Sequence, residues 1–546
     1  MTFDLSLYLV TDSTPAILGD RDLIRIVDEA IQGGVTIVQY RDKHSETSVL
    51  IDTAKKIHKV TRKHGVPLLV NDRIDVALAI GAEGVHLGQD DTPIQDARRI
   101  LGEEAIIGIS SNTVEEAKIA IEAGADYLGI GAVFGTPTKS DTKSLLGPIG
   151  LQDFLSAISF SPIPTVAIGG INPKNASRVL YQSSSPSKSI SGIAVVSAII
   201  TATDPKAVSS QLKYILTSPP THKLVPSTSL VPSSSPTNLS ALIANVPSLL
   251  SHHHNLNPLS HNMTNTVVQN FAANVCLSTS SSPIMSLSGP EAHDLSLLRG
   301  GLVINMGTLT PDLLTSYLQG ALAYNSSGNP IVFDPVGGGA TALRRSAVRT
   351  LMSGSYFSVI KGNESEIQTV YNTSFSLTST TSAQKGVDSA PSTTTPIEKA
   401  QLVKSLARRE KSIILLTGPT DYLSDGTVVL SISNGHPYLG KITGSGCALG
   451  AVIAGFCASA RDLAEKSSPS PTSTSPYLLA TLTAVLLYEI AAEYAVESGK
   501  CFGPGSFIPA FLDQLYRLTS TAEDSEADND KIIEWLDRAK VEVLDV

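Results

Sequence analysis

The chain has 546 residues, 42% of them apolar, which is ample for two large cores and too long for one ordinary core. A formal net charge of −10 excludes a general binder of nucleic acid or of anionic membrane surfaces and points to small ligands held in local pockets. The four cysteines, Cys276, Cys447, Cys457 and Cys501, lie far apart or in apolar helical stretches with no CxxC pair, which predicts reduced thiols and a cytoplasmic protein.

The first segment, "MTFDLSLYLVTDS", carries Asp4 and no basic stretch, so it reads as a first strand and not as a signal peptide. Short apolar runs then alternate with amphipathic helical patterns: "LYLVTD", "VTIVQYRDK", "PLLVND", "GVHLGQDD", "AIIGISS", "YLGIGAVF", "PTVAIGGI" and "GIAVVSA". Eight βα units over residues 1–218 predict an N-terminal (β/α)8 TIM barrel. Residues 219–238, rich in Pro and Ser without helical or strand period, have the composition of a linker.

Residues 239–546 return to α/β patterning, with buried-type strands in "GGLVINMG", "PIVFDPVGGGA", "YFSVIKGNESE" and "SIILLTGPTDYLSDG". Polar tracts near 372–396 and 466–476 are too poor in apolar residues to join a core and read as inserted loops. The run "SHHHN" at 251–255 is expected to be a solvated loop, because three adjacent histidines cannot all face one ion. "GKITGSGCALG" at 440–450 reads as a strand end, a glycine turn and the start of an apolar helix whose first amides can approach an anion. "YLLATLTAVLLYEIAAEYAV" contains Glu489 and Glu493 one helical turn apart, which predicts a buried helix with one wet face and no membrane span. "TAEDSEADND" reads as an acidic loop before a last amphipathic segment, "KIIEWLDRAKVEVLDV".

In such a barrel, side chains at the C-terminal ends of the strands face the active site. Strand two ends in Gln39, Arg41 and Lys43, whose alternation sends all three to one face. Strand three ends in Asn71 and Asp72, strand four in Asp90 and Asp91, strand six in Thr136, Thr138 and Lys139, and strand seven in Gly169 and Gly170. Two carboxylates from adjacent strands can hold a Mg2+ that also binds substrate phosphates, while Arg41, Lys43 and Lys139 neutralise the remaining charge. A pyrophosphate group fits that chemistry.

"QYRDK", "NDRIDVALAIGAEGVHLGQDD", "GTPTKSDTK", "AIGGI" and "GIAVVSAI" resemble, in matching order, the motifs of thiamine-phosphate synthase. That family is a (β/α)8 barrel that joins hydroxymethylpyrimidine pyrophosphate to hydroxyethylthiazole phosphate with Mg2+ and releases pyrophosphate. The resemblance implies Asp72 and Asp91 as Mg2+ ligands and Gln39, Arg41, Lys43, Asn71 and Lys139 on the pyrimidine pyrophosphate, with Arg41 and Lys139 stabilising the leaving group. It implies Thr136, Thr138, Gly170, Val196 and Ser197 around the thiazole phosphate and Ser110 near the reacting pyrimidine. Gly135 stands where that family usually has proline.

"DPVGGGAT", "KGNESE", "LLTGPTD", "SNGH" and "ITGSGCALG" are similar in order and spacing to hydroxyethylthiazole kinase, of the ribokinase-like α/β class, and "PLSHNMTN" and "SSPIM" resemble its substrate segments. The whole chain thus resembles the fungal bifunctional family in which the two are fused. The resemblance implies ATP as phosphoryl donor, Asp334 and Glu366 supporting Mg2+, Lys361 and Thr417 on the ATP phosphates, and Asn265 and Met285 lining the thiazole pocket. Gly444, Ser445 and Gly446 would offer amides to the transferring group, and Cys447 would face the substrate hydroxyl where many relatives place aspartate as base. A thiol of ordinary pKa, about 8.5, is a poor base unless the helix N-terminus lowers it. Lys361 stands where the family often has arginine. A homo-oligomer is implied by resemblance only. Two alternatives keep less of this: a tautomerase-like barrel joined to another small-alcohol kinase, and a thiamine-pathway sensor with decayed sites.

Overall fold

The computed structural model describes residues 3–135, 145–217, 239–373, 394–466, 475–520 and 534–546. The chain divides into two compact units, Met1–Pro220 and Thr221–Val546.

In the first unit eight parallel strands close in sequence order: β1 (Leu7–Val10), β2 (Ile37–Tyr40), β3 (Leu68–Asn71), β4 (Gly84–Leu87), β5 (Ile106–Ser111), β6 (Tyr127–Ile130), β7 (Thr165–Ile168) and β8 (Gly192–Val195), with β8 pairing back onto β1. Their continuous apolar character follows from burial on both faces. Tyr8, Val10, Ile37, Leu69, Ile106, Tyr127, Val166 and Ala194 fill the barrel interior, whereas Leu7, Leu9, Val38, Leu68, Val70 and Val85 pack outward against the helices. That alternation sets which side chains at the strand ends can reach the mouth. Local signals place the helices between them. Asp22 caps the helix Leu23–Gln32 through Ile24 and Arg25 amides, and Thr113 with Glu116 forms a capping box on Val114–Glu122.

The second unit is a nine-stranded sheet in the order β10-β9-β11-β12-β13-β14-β15-β16-β17, where β9 is Leu259–Met263, β10 Ser282–Ile284, β11 Gly301–Asn305, β12 Ile331–Asp334, β13 Val359–Asn363, β14 Ile413–Thr417, β15 Asp421–Ser424, β16 Val429–Ile432 and β17 Val541–Leu544. The six strands from β10 to β14 are parallel and the last three run antiparallel. Helices cover both faces. On one, Val303, Val332, Val359 and Leu415 pack with the helices Ser445–Lys466 and Pro476–Glu497; on the other, Ile304, Phe333, Ile360 and Leu416 pack with Tyr317, Leu351 and Val403. Both of those long helices are apolar enough to cross a membrane by composition, but 78% and 83% of their most apolar windows is buried inside this unit.

Several expectations are corrected. "SIILLTGPTDYLSDG" is two strands, β14 and β15, paired antiparallel across a turn at Gly418. The last segment contains β17, whose Val-Glu-Val-Leu alternation pairs with β16 and forms the edge strand of the sheet. The strand expected before the "TGSG" turn is a 3-10 turn, Pro437–Lys441, because Pro437 lacks a donor and starts a turn instead. The three histidines are helical, within Val246–Leu256. His253 is fully buried, stacked on Phe456 at 3.9 Å, with its ring nitrogens 3.0 Å from Ser459 Oγ and 2.8 Å from Thr279 O. Burial pushes its pKa down to about 3, so it is a neutral core residue. The linker 219–238, most of both inserted tracts and the acidic run 521–530 lie outside the described residues.

The wet face expected for Glu489 and Glu493 is also buried. Glu493 accepts from Asn434 Nδ2 and the Gly435 amide, both at 3.1 Å, with Lys540 Nζ 3.4 Å away. Glu489 faces the buried Asp421; burial and that neighbour raise Glu489 well above the carboxylate range, and burial pushes Asp421 up to about 6. A carboxyl raised on folding contributes no penalty while both states are protonated and lowers stability as pH rises from its unfolded toward its folded value. Glu489→Gln is therefore expected to stabilise this unit by on the order of 1–3 kcal/mol at pH 8 and by much less at pH 4. Calorimetric melting at the two pH values checks it, and an equal gain at both would refute it.

Candidate active sites

At the barrel mouth β2, β3 and β4 deliver the charged groups. Lys43 Nζ lies 3.0 Å from Asp72 Oδ2, and the Asp72 and Asp91 carboxyls are within hydrogen-bond reach of each other. Asp91 Oδ2 also accepts the Gly88 amide at 2.6 Å, which pins it over the end of β4. Burial and the Asp72 carboxyl raise the Asp91 pKa, with Lys43 opposing. Asp72 holds a left-handed backbone, φ 61°, a conformation that aspartate tolerates and that turns its carboxylate toward Lys43. Arg41 is not part of this trio: its guanidinium is 3.5 Å from the buried Asp12. Asp12 is in turn held by the Thr14 amide and hydroxyl at 2.9 and 2.6 Å. Asp90 is exposed. Asn71 shares the inward register of Leu69, and Val196 that of Ala194. Ser197 opens a short helix after β8. A Cβ on Gly170, φ 62°, would stand 2.6 Å from Gly135 O, so this loop crossing requires glycine. Thr136, Thr138 and Lys139 lie outside the described residues.

Below the mouth, Gln39 and Ser110 are joined through residues that sequence reading leaves out, Tyr8, Tyr127 and His86. The available signal is positional: polar aromatic residues at inward strand positions, facing bare Gly108 and Gly129, whose missing side chains leave room for the Tyr127 and His86 rings.

In the second unit the groups gather at the C-terminal ends of β9, β11, β12 and β13, the crevice where open α/β sheets bind ligands. Lys361 Nζ is 3.1 Å from Asp334 Oδ1, both fully buried, though that oxygen receives no well-aligned hydrogen bond. Asn305 donates to Asp334 Oδ2 at 2.8 Å and accepts from Asn265 Nδ2 at 3.0 Å; the same Asn265 nitrogen is 3.5 Å from Cys447 Sγ. Asn305 is a further residue that sequence reading misses. Glu366 accepts the Gly337 and Asn363 amides at 2.9 and 2.8 Å, and burial together with Asp334 pushes its pKa up to about 7. Burial alone would depress Lys361, but Asp334, Cys447 and Glu366 outweigh it and hold the ammonium above the usual lysine range.

Gly444, φ 84°, packs against Val268, and the helix starting at Ser445 places Gly446 and Gly450 over Lys361. Thr417 ends β14 beside Asn363, while Met285 follows β10 and packs partly buried against the core. Burial and Asp334 push the Cys447 thiol up to about 11, which agrees with its reading as a poor base. It is protonated at neutral pH.

Each unit thus presents two carboxyls and a lysine. Among the described residues no group of three or more His, Cys, Asp or Glu could enclose a metal ion. A pair of crowded carboxyls, whose mutual repulsion a cation relieves and which raises Asp91 in one unit and Glu366 in the other, suits Mg2+ shared with substrate phosphates better than a protein-only cage.

A phosphate-handling barrel joined to a phosphoryl-transfer α/β unit defines a two-headed transferase. Residues 7–199 match the thiamine monophosphate synthase family and residues 250–521 the hydroxyethylthiazole kinase family. The chain is 38% identical over 550 residues to the probable thiamine biosynthetic bifunctional enzyme of Schizosaccharomyces pombe, covering 99% of this chain and 98% of the relative. It is 36% identical over 546 residues to the thiamine biosynthetic bifunctional enzyme of Saccharomyces cerevisiae, covering 94% and 95%. Over 215 residues it is 46% identical to the thiamine-phosphate synthase of Clostridium novyi, covering 39% of this chain and all of that one. The chain belongs to the family of thiamine biosynthetic bifunctional enzymes, a thiamine-phosphate synthase fused to a hydroxyethylthiazole kinase.

Proposed function

We propose that the second unit transfers the γ-phosphoryl group of ATP to the hydroxyl of 4-methyl-5-(2-hydroxyethyl)thiazole. The barrel then joins the resulting phosphate to hydroxymethylpyrimidine pyrophosphate, forming thiamine phosphate and pyrophosphate. The observation that carries the reading is the recurrence, at two separate sets of strand ends, of a crowded carboxyl pair with a lysine against it: Asp72, Asp91 and Lys43, and Asp334, Glu366 and Lys361.

In the barrel, pyrophosphate departure leaves cationic character on the pyrimidine methylene. Lys43, Arg41 and Lys139 offset the negative charge that grows on the leaving group, and Asp72 and Asp91 would hold Mg2+, which supplies further charge neutralisation when bound. Gln39, Asn71 and Ser110 orient the pyrimidine. Thr136, Thr138, Gly170, Val196 and Ser197 hold the thiazole phosphate so that its ring nitrogen needs only alignment for attack. In the kinase, Asp334 and Glu366 would hold Mg2+, Lys361 and Thr417 contact the ATP phosphates, and the amides of Gly444, Ser445 and Gly446 receive the transferring group. Asn265 and Met285 line the thiazole pocket. We place the protein in the cytoplasm as a homo-oligomer, on the strength of its reduced cysteines and its family resemblance.

The protonated Cys447 orients the alcohol and does not take its proton. A base typically contributes about 10²- to 10⁴-fold, so Cys447→Asp is expected to retain or raise kinase turnover. Complete loss in a folded Cys447→Asp protein, seen in a coupled ADP assay, counts against this role.

The deciding experiment supplies unphosphorylated hydroxyethylthiazole and the pyrimidine pyrophosphate with and without ATP. Thiamine phosphate is expected only with ATP. Binding of both substrates without product under either condition would overturn the proposal.

A further inference from the structure

Five polar side chains from five strands form one unbranched hydrogen-bonded line through the barrel interior. Gln39 Nε2 donates to Tyr8 Oη at 2.8 Å; the Tyr8 and Tyr127 hydroxyls are 2.7 Å apart. Tyr127 Oη is 2.7 Å from His86 Nδ1, and His86 Nε2 is 2.9 Å from Ser110 Oγ. Gln39, Tyr8 and Tyr127 are buried, so water does not compete along the line.

Such a line has a direction. An amide nitrogen can only donate, so Tyr8 accepts from Gln39, and every proton in this buried line is satisfied only when Tyr8 passes its own to Tyr127. Tyr127 then gives its proton to His86 Nδ1. A neutral imidazole has one N–H, which now sits on Nε2 and donates to Ser110. Burial keeps the ring neutral, which preserves the direction at working pH. The two ends left facing the ligand are therefore a Gln39 carbonyl oxygen that accepts and a Ser110 hydroxyl that donates. Turning the Gln39 amide over would require every link to reverse together, because each interior group has one proton to place.

We propose that Tyr8, Tyr127 and His86 are positioning residues that set the polarity of the Gln39 and Ser110 edge, so that the barrel selects a pyrimidine with an exocyclic amine donor and a ring-nitrogen acceptor. The oxo counterpart puts a carbonyl acceptor where the amine stands and meets the Gln39 oxygen lone pair to lone pair. This rests on the barrel substrate proposed above and adds the source of its selectivity.

The test has two arms on the full-length protein. In the first, kcat/KM is measured for the amino- and oxo-pyrimidine pyrophosphates in the unaltered protein and in Tyr127→Phe and Tyr8→Phe, with inhibition by inorganic pyrophosphate and kinase activity as controls. A site that hydrogen-bonds a substrate donor rejects the analogue lacking it by about 10⁴- to 10⁵-fold at best, so a preference of at least about 100-fold is expected. It should fall about tenfold or more in each variant while pyrophosphate inhibition stays within about twofold. An unchanged preference in a variant that keeps pyrophosphate inhibition overturns the proposal. In the second arm, 15N spectra of histidine-labelled protein read the His86 ring, which should carry its proton on Nε2. A proton on Nδ1 overturns the proposal even if the phenylalanine variants fail to fold. Turnover of neither pyrimidine by the unaltered protein would instead refute the assigned barrel substrate, and the spectra still decide the polarity.

Discussion

Lys361→Met is expected to lower kinase turnover by at least about 10³-fold, while synthesis of thiamine phosphate from ready-made thiazole phosphate stays within about twofold of the unaltered protein. Two effects combine. The ammonium lies beside the buried Asp334 and Glu366, so without it the ATP phosphates would meet the charge of two carboxyls unopposed by Lys361. Removing one member of a buried ion pair also leaves its partner uncompensated, which typically costs about 3–5 kcal/mol of stability. The double variant Lys361→Met with Asp334→Asn separates them, since it should regain much of the melting temperature and none of the turnover. Lys361→Arg should keep a substantial part of the activity, because the charge survives although the planar fork differs from a lysine head. Steady-state ADP release with parallel melting curves gives the answer. Turnover within about tenfold of normal in a folded Lys361→Met protein would remove Lys361 from the phosphate site.

Asp72→Asn is expected to lower barrel turnover by about 10²- to 10³-fold and to weaken the apparent Mg2+ affinity, with kinase activity unchanged. Asparagine is the informative replacement because it tolerates the left-handed backbone at φ 61° nearly as well as aspartate, so the loss reports the charge and not the turn. With the Asp72 charge gone, Asp91 loses the neighbour that helps raise its pKa and Lys43 loses its 3.0 Å partner. A Mg2+ titration of kcat/KM with the pyrimidine pyrophosphate tests both claims. Unaltered magnesium dependence would assign the carboxyl pair to structure alone.

Much of the architecture was legible because burial on both faces leaves a strong mark. All eight expected barrel runs are strands, since parallel strands under helices must be apolar almost throughout. The charged groups that interrupt those runs, Lys43, Asp72 and Asp91, stand out against that background, and the fold brings them together. Reading failed where a polar residue is buried by packing from far along the chain. "SHHHN" looks solvated in isolation, yet Ser459, Thr279 and Phe456 supply every partner that His253 needs. Glu489 and Glu493 look like a wet face until Asp421, Asn434 and Lys540 close over them. The strands β9, β10, β16 and β17 were missed because, unlike the equally short barrel strands, they carry polar residues such as His261, Asn262, Ser282, Ser431 and Glu542 that break the apolar run.

By itself the sequence determined the two α/β units, the strand-end residues that carry charge and the family to which they belong, because those depend on local pattern and residue type. Only the tertiary structure decided the partners: Arg41 on Asp12, Lys361 on Asp334, a protonated Cys447, and the line from Gln39 through Tyr8, Tyr127 and His86 to Ser110. Desolvation and hydrogen-bond direction depend on what closes around a group from every side, and that is settled when distant strands meet.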